Sequence, residues 1–131
     1  MSKIISFLKL IFHTSILLLI ILSLFPGSLP GYVLHGDLTQ QPNLIENPFG
    51  TTINHTIAYF YVSSLGFFLY LRNKNFQKLV YGLFFLSIIL EVLQMFVPIR
   101  FFQLDDLIAN FVGVLLAYFL VKIYVFFKKH E

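Results

Sequence analysis

Four long apolar stretches, each close to the length of a bilayer crossing, constrain this chain more than any other feature. A spanning helix takes roughly 20 mostly apolar residues to cross a hydrocarbon core about 30 Å thick. The candidates run from Ile4 to Phe25, Ile53 to Leu71, Leu79 to Val97 and Leu104 to Phe127. Of the 131 residues, 58% are apolar and 11% charged, whereas a soluble domain carries roughly 25% charged residues. A chain this apolar cannot cover a globule with polar surface, so lipid must be its solvent. The expectation is an all-α polytopic membrane bundle of four transmembrane helices, one domain over residues 1–131.

The connections differ in character. Pro26 to Thr52 holds Pro26, Pro30, Pro42 and Pro48 together with Gly27, Gly31, Gly36 and Gly50, and reads as a structured or mobile loop. Arg72 to Lys78 is a short polar hairpin, and Pro98 to Gln103 a tight re-entry turn. No cysteine is present, which excludes disulfides and thiolate metal sites. Lys3, Lys9, Arg72, Lys74, Lys78, Lys122, Lys128 and Lys129 fall on one side of a four-pass arrangement, and Arg100 alone on the other. By the positive-inside rule the lysine-rich side is cytoplasmic, so both termini are expected inside. These cations lie along a membrane boundary, which argues against nucleic-acid binding. Lys3 and Lys9 also suit the basic start of a signal peptide. The first apolar stretch is longer than the 7–15 residues usual there, and Phe25-Pro26-Gly27-Ser28 offers no small-residue cleavage site. An uncleaved anchor is therefore expected.

With that topology, the polar side chains at membrane depth gather toward the outer face. His55 opens the second helix. Glu91 lies seven residues before Pro98, and so about 10 Å below the outer end of the third at 1.5 Å per residue. Gln94 is one turn further out on the same face. Arg100 lies in the re-entry turn, Asp105 and Asp106 open the fourth helix, and Asn110 and Gly113 share a face with Asp106. Several of these residues have plainer explanations. Asp105 and Asp106 suit a helix start through capping and the helix dipole. Arg100 suits an ion pair with these carboxylates, His55 an idle place near the interface, Asn110 and Gln94 interhelical hydrogen bonding, and Gly113 close helix packing. Glu91 resists such a reading, because a carboxylate within a spanning helix costs roughly 2.5–3.5 kcal/mol on insertion scales. It needs a partner, a water cavity or a raised pKa, and the available partners are Arg100 and His55.

The run from Glu91 to Gly113, Glu-Val-Leu-Gln-Met-Phe-Val-Pro-Ile-Arg-Phe-Phe-Gln-Leu-Asp-Asp-Leu-Ile-Ala-Asn-Phe-Val-Gly, resembles the signature of the VanZ-like family. That signature reads approximately E-x-x-Q-x-x-x-P-x-R, five variable residues, then D-x-x-x-N-x-x-G. Glu91, Gln94, Pro98, Arg100, Asp106, Asn110 and Gly113 fall in register with it. The family's H-x-x-x-[YF] element is matched by His55 and Tyr59, and its Ser-Leu-hydrophobic-Pro end to the first helix by Ser23-Leu24-Phe25-Pro26. Thr51-Thr52 stand where family members usually carry Asp-Lys, and Asp105 is a carboxylate that the pattern does not require.

The resemblance implies a protein of the bacterial cell membrane with a role in the envelope, named for a relative that lowers susceptibility to teicoplanin. It supplies no reaction. The expected function is binding of an amphiphile through the outer-leaflet cluster. A lipid-linked cell-wall precursor or a lipid-tailed glycopeptide is the expected partner, besides membrane lipids. Arg100 would meet a phosphate or carboxylate, His55, Gln94 and Asn110 would supply hydrogen bonds, and Glu91 would orient Arg100; Asp106 joins them in organising the site. Pro98 and Gly113 are assigned structural roles. No cofactor or metal is expected, since no zinc-ligand spacing occurs. The rival is an intramembrane enzyme acting on a lipid-linked phosphate or sugar, with His55 as acid or base and Asp106 or Glu91 as its partner or as a metal ligand. A transporter or small subunit would require an oligomer, because four short helices rarely enclose a pore.

Overall fold

The computed structural model describes residues 2–130. Helix α1 spans Lys3–Leu24, α2 Leu29–His35, α3 Thr52–Tyr70, α4 Phe76–Leu93 and α5 Leu104–Lys129, and a 3-10 turn, Gln94–Phe96, extends α4. Among the described residues there is no strand. The long helices run alternately up and down, so the end of α1, the start of α3, the end of α4 and the start of α5 share one end of the bundle.

Periodicity explains the packing. On α3 the buried residues are Tyr59, Val62, Ser63, Gly66 and Phe67, the spacing of one helical face. On α5 they are Asp106, Ala109, Asn110, Gly113, Val114, Ala117 and Val121. These two faces meet along most of their length. A Cβ added at Gly113 would come within 2.6 Å of the Thr56 carbonyl oxygen and 2.8 Å of the Tyr59 Cβ. Only glycine permits this approach of two backbones, the small-residue contact that holds helices together where no hydrophobic effect acts between them. One turn before it, the Thr56 hydroxyl donates to the Ala109 carbonyl at 3.2 Å. Further along, Phe67 is enclosed by Phe76 and Tyr118 in edge-to-face contacts of 5.8 and 6.3 Å between centroids.

Of the four expected crossings, three meet the length and apolarity that a crossing requires: Lys3–Leu24, Phe76–Phe96 and Leu104–Lys129. The expected span at 53–71 exists as α3 but falls short of that apolarity. Its polar load, including Asn54, His55, Thr56, Ser63 and Ser64, is the physical reason. A helix enclosed by its neighbours can carry polar side chains that a lipid-facing one cannot. The opposite holds for α1, where Phe12 alone is buried and Ile4, Phe7, Leu10, Leu17 and Leu18 are exposed. Such a continuous apolar surface suits hydrocarbon.

The proline-rich segment is folded. Ser28 caps α2 by accepting a hydrogen bond from the Gly31 N–H at 3.0 Å, Pro30 sits in its first turn, and Gly36 ends it in the left-handed region at φ 70°. The Ser28 N–H donates to the Leu38 carbonyl at 2.7 Å, and the Asn54 amide to the Pro42 carbonyl at 3.1 Å, which ties the segment to the start of α3. Cations mark the other end of the bundle. The Lys9 ammonium lies 5.1 Å from the Tyr70 ring centroid, and Arg72, Lys128 and Lys129 line a cleft between the ends of α3 and α5.

Candidate functional site

At the end away from the lysines, the bundle buries Glu91, Gln94, Asp106 and Asn110, with Glu91 0% and Asp106 4% exposed. Asn110 is the hub. Its Nδ2 donates to the Ser87 carbonyl at 3.3 Å and to Glu91 Oε2 at 3.4 Å, while its Oδ1 faces His55 Nδ1 at 3.0 Å. Two acceptors on the nitrogen side fix the amide's orientation, and the exposed lone pairs of Oδ1 then require His55 Nδ1 to be the donor. His55 Nε2 points to Asp106 Oδ2 at 3.6 Å. The other Glu91 oxygen, Oε1, accepts the Gln103 backbone N–H at 3.2 Å. One amide thus connects α3, α4 and α5.

Arg100 departs from expectation. Its side chain does not pair with a carboxylate: among the described residues no ion pair joins it to Glu91, Asp105 or Asp106. The guanidinium reaches instead to the end of α1, where Nε donates to the Phe25 carbonyl at 3.1 Å and Nη2 to the Leu22 carbonyl at 2.5 Å. The last carbonyls of a helix lack internal partners and carry its negative dipole end, so a cation is favoured there. Glu91 therefore acts on Arg100 only through space, and the hydrogen bonds that hold the guanidinium come from the end of α1. A guanidinium carries five N–H donors, and these two bonds leave three. Burial lowers the Arg100 pKa, while Glu91 and Asp106 oppose the fall through space; the group stays cationic. The turn that presents it contains Ile99 at φ 63°, a left-handed conformation that costs a β-branched residue about 1–3 kcal/mol.

Two cavities flank this arginine. One, of about 160 Å³, lies between the end of α1, the 26–51 segment and the start of α3, where Arg100, Gln94, His55 and Asn54 meet Leu19 and Pro30. The other, of about 400 Å³, is lined by Gln94, Arg100, Gln103 and Asp106 on one side and by Gly27, Ser28, Leu38, Thr39 and Gln41 on the other. Both mix polar side chains with apolar walls.

A family model described as VanZ/LLP1 matches residues 10–127, nearly the whole chain. The chain belongs to the VanZ/LLP1 family. No curated protein and no solved structure matches it. In this VanZ/LLP1 member, His55, Glu91, Asp106 and Asn110 form one connected group, and Gln94 and Arg100 border it through the cavities. Pro98 follows the 3-10 turn, outside the hydrogen-bonded group. Asp105, the extra carboxylate, is exposed and stands apart. Thr51, one of the pair replacing Asp-Lys, lines the smaller cavity, so the departure falls on its rim. Sequence reasoning missed the contributions of the backbone: the Leu22 and Phe25 carbonyls, the Ser87 carbonyl and the Gln103 N–H. A backbone group leaves no mark in residue identity. It also missed how near three potential metal ligands lie, since donor atoms of His55, Glu91 and Asp106 all fall within 4.8 Å of one another.

Proposed function

We propose that this VanZ/LLP1 protein crosses the bacterial cell membrane four times with both termini in the cytoplasm, and holds the anionic head of an amphiphile at the outer leaflet. The observation that carries the reading is Arg100, a cation with three unengaged N–H donors presented between two cavities that mix polar and apolar walls. A guanidinium so placed can take a phosphate or carboxylate in two-point contact, Gln94 beside it adds an amide, and the apolar walls accept the first carbons of a lipid tail. The ligand class is a lipid-linked wall precursor or a lipid-tailed glycopeptide, and the consequence is lowered teicoplanin susceptibility. The fourth crossing is α3, whose polar side is shielded by α5.

The test is a susceptibility comparison in a sensitive Gram-positive host, teicoplanin against vancomycin, with membrane levels matched. Wild type is expected to raise the inhibitory teicoplanin concentration at least fourfold and leave vancomycin unchanged, and Arg100→Ala to abolish that protection. Full protection from well-expressed Arg100→Ala would defeat the reading. A second reading, an intramembrane enzyme on lipid-linked phosphate or sugar, draws on the His55–Asp106 contact at 3.6 Å, since a carboxylate beside an imidazole is an acid–base pair. Turnover of such a lipid by purified protein, lost in His55→Ala, would favour it over binding.

A further inference from the structure

The geometry points to a divalent-cation site formed by His55 Nε2, Glu91 and Asp106, independent of the headgroup reading. Donor atoms of all three side chains lie within 4.8 Å of one another, and Nε2 is 3.6 Å from Asp106 Oδ2. Two ligands at about 2.1 Å from a tetrahedral ion stand about 3.4 Å apart, so this spacing closes on an ion with small side-chain movements.

Three further observations favour an ion over a structural ion pair. The Asn110 amide takes up His55 Nδ1, which leaves Nε2 with its lone pair directed at the carboxylates. A hydrogen bond to the distal ring nitrogen is the support that metal-bound histidines ordinarily have. Asp106 is 4% exposed, yet its Oδ1 meets no hydrogen-bond donor among the described residues. A buried carboxylate oxygen with no partner is costly, and a cation in this group would satisfy it. Finally, Glu91 and Asp106 are two buried carboxylates, and the neighbouring cation, Arg100, bonds to α1 instead of to them. The contacts from the Gln103 N–H and Asn110 occupy one lone pair on each Glu91 oxygen and leave others for a metal.

One imidazole and two carboxylates, without thiolate, suit a first-row divalent ion such as Zn²⁺ or Mn²⁺. Three protein ligands leave at least one coordination position open. Asp106 lines the larger cavity and His55 the smaller, and Gln94 and Arg100 line both, so an ion held between these ligands would be reached from the space beside the guanidinium. An anionic oxygen there would meet the ion on one side and Arg100 on the other.

The experiment uses full-length protein in detergent, carrying no histidine tag, stripped with chelator and titrated with Zn²⁺ and with Mn²⁺ by calorimetry. One ion per chain is expected, with a rise in melting temperature, because an ion bound only by the folded state stabilises it. His55→Ala, Glu91→Gln and Asp106→Asn are each expected to weaken binding at least tenfold, while His35→Ala and His130→Ala leave it unchanged. Absence of both stoichiometric binding and thermal stabilisation in wild type, for both ions, would overturn the site whether or not the variants fold. Equal binding by the three ligand variants, or loss in His35→Ala or His130→Ala, would overturn it as well. A wild type that binds the ion, together with full teicoplanin protection from Arg100→Ala, would reject the headgroup reading and leave the ion site standing.

Discussion

At the scale of single residues, Asn110 has more depending on it than its size suggests. Its amide, itself buried, meets His55, Glu91 and the Ser87 carbonyl, three groups on two other helices. Replacement by alanine removes all three contacts and leaves buried polar atoms unmatched, each a loss of about 1–3 kcal/mol where no water enters. Asn110→Ala is therefore expected to destabilise the protein by about 2 kcal/mol or more, read as a lowered midpoint in detergent unfolding. An unchanged midpoint would mean that water already reaches the hub. Much of this was legible beforehand. The depth of Glu91, the i, i+4 relation of Asp106 to Asn110 and the position of His55 at a helix start all follow from spacing. What spacing could not show is which partner each group chooses. Glu91 and Arg100 look like partners in sequence, as do Glu91 and His55, because opposite charges at similar depth attract. In the structure the end of α1, with its unpaired carbonyls, competes for Arg100 and takes it.

At the scale of helices, the molecule is held together unevenly. Helices α3 and α5 interlock through Gly113, where an added Cβ would meet the Thr56 carbonyl oxygen at 2.6 Å. Gly113→Ala must push the two backbones apart, and overpacking of this kind costs about 1–3 kcal/mol. The expected result is a lowered unfolding midpoint together with disturbance of the site, because Thr56 and Asn110 flank the crossing. A midpoint equal to wild type would show that the helices do not approach so closely. Helix α1 is attached differently, with Phe12 as its sole buried residue and Arg100 as a tie at its far end. Arg100→Ala is expected to increase amide hydrogen exchange over residues 21–28 by tenfold or more while α3 and α5 remain protected. Uniform exchange across the chain would instead indicate global loosening. Of these elements the four long helices were legible from apolar runs, with ends misplaced by a few residues. Helix α2 lies in the stretch that reads as a structured or mobile loop, although Ser28, Pro30 and Gly36 together carry the start and stop signals of a short helix. High glycine and proline content outweighed the meaning of their positions.

At the scale of the whole molecule, the charge distribution is the basis of the proposed orientation in the bilayer. The cleft at the ends of α3 and α5 carries Arg72, Lys128 and Lys129, and Lys9 reaches Tyr70 at the same end. The opposite end carries the buried carboxylates, with Asp105 at its surface. Cytoplasmic loops retain lysine and arginine, and the proposed orientation accordingly puts the lysine-rich end inside and the candidate site outside. The weak apolarity of α3 bears on this argument. If α3 did not cross, the starts of α1 and α4 would lie on opposite sides of the membrane, and Lys3 and Lys9 would be separated from Lys74 and Lys78. The Lys9–Tyr70 contact joins the start of α1 to the end of α3, which requires both to be at one face. The chain contains no cysteine, so single cysteines report position cleanly. Asp105→Cys is expected to react with a membrane-impermeant maleimide in intact cells, and Asn73→Cys only after the membrane is opened. Both residues are exposed, so failure to react would not stem from burial. The reverse pattern would put the arginine and its cavities in the cytoplasm, where an outer-leaflet precursor or an external glycopeptide could not meet them. The same reversed pattern would follow if α3 lay on the membrane surface, since α4 alone separates Asn73 from Asp105, and labelling of both positions in intact cells would mean that α4 does not cross.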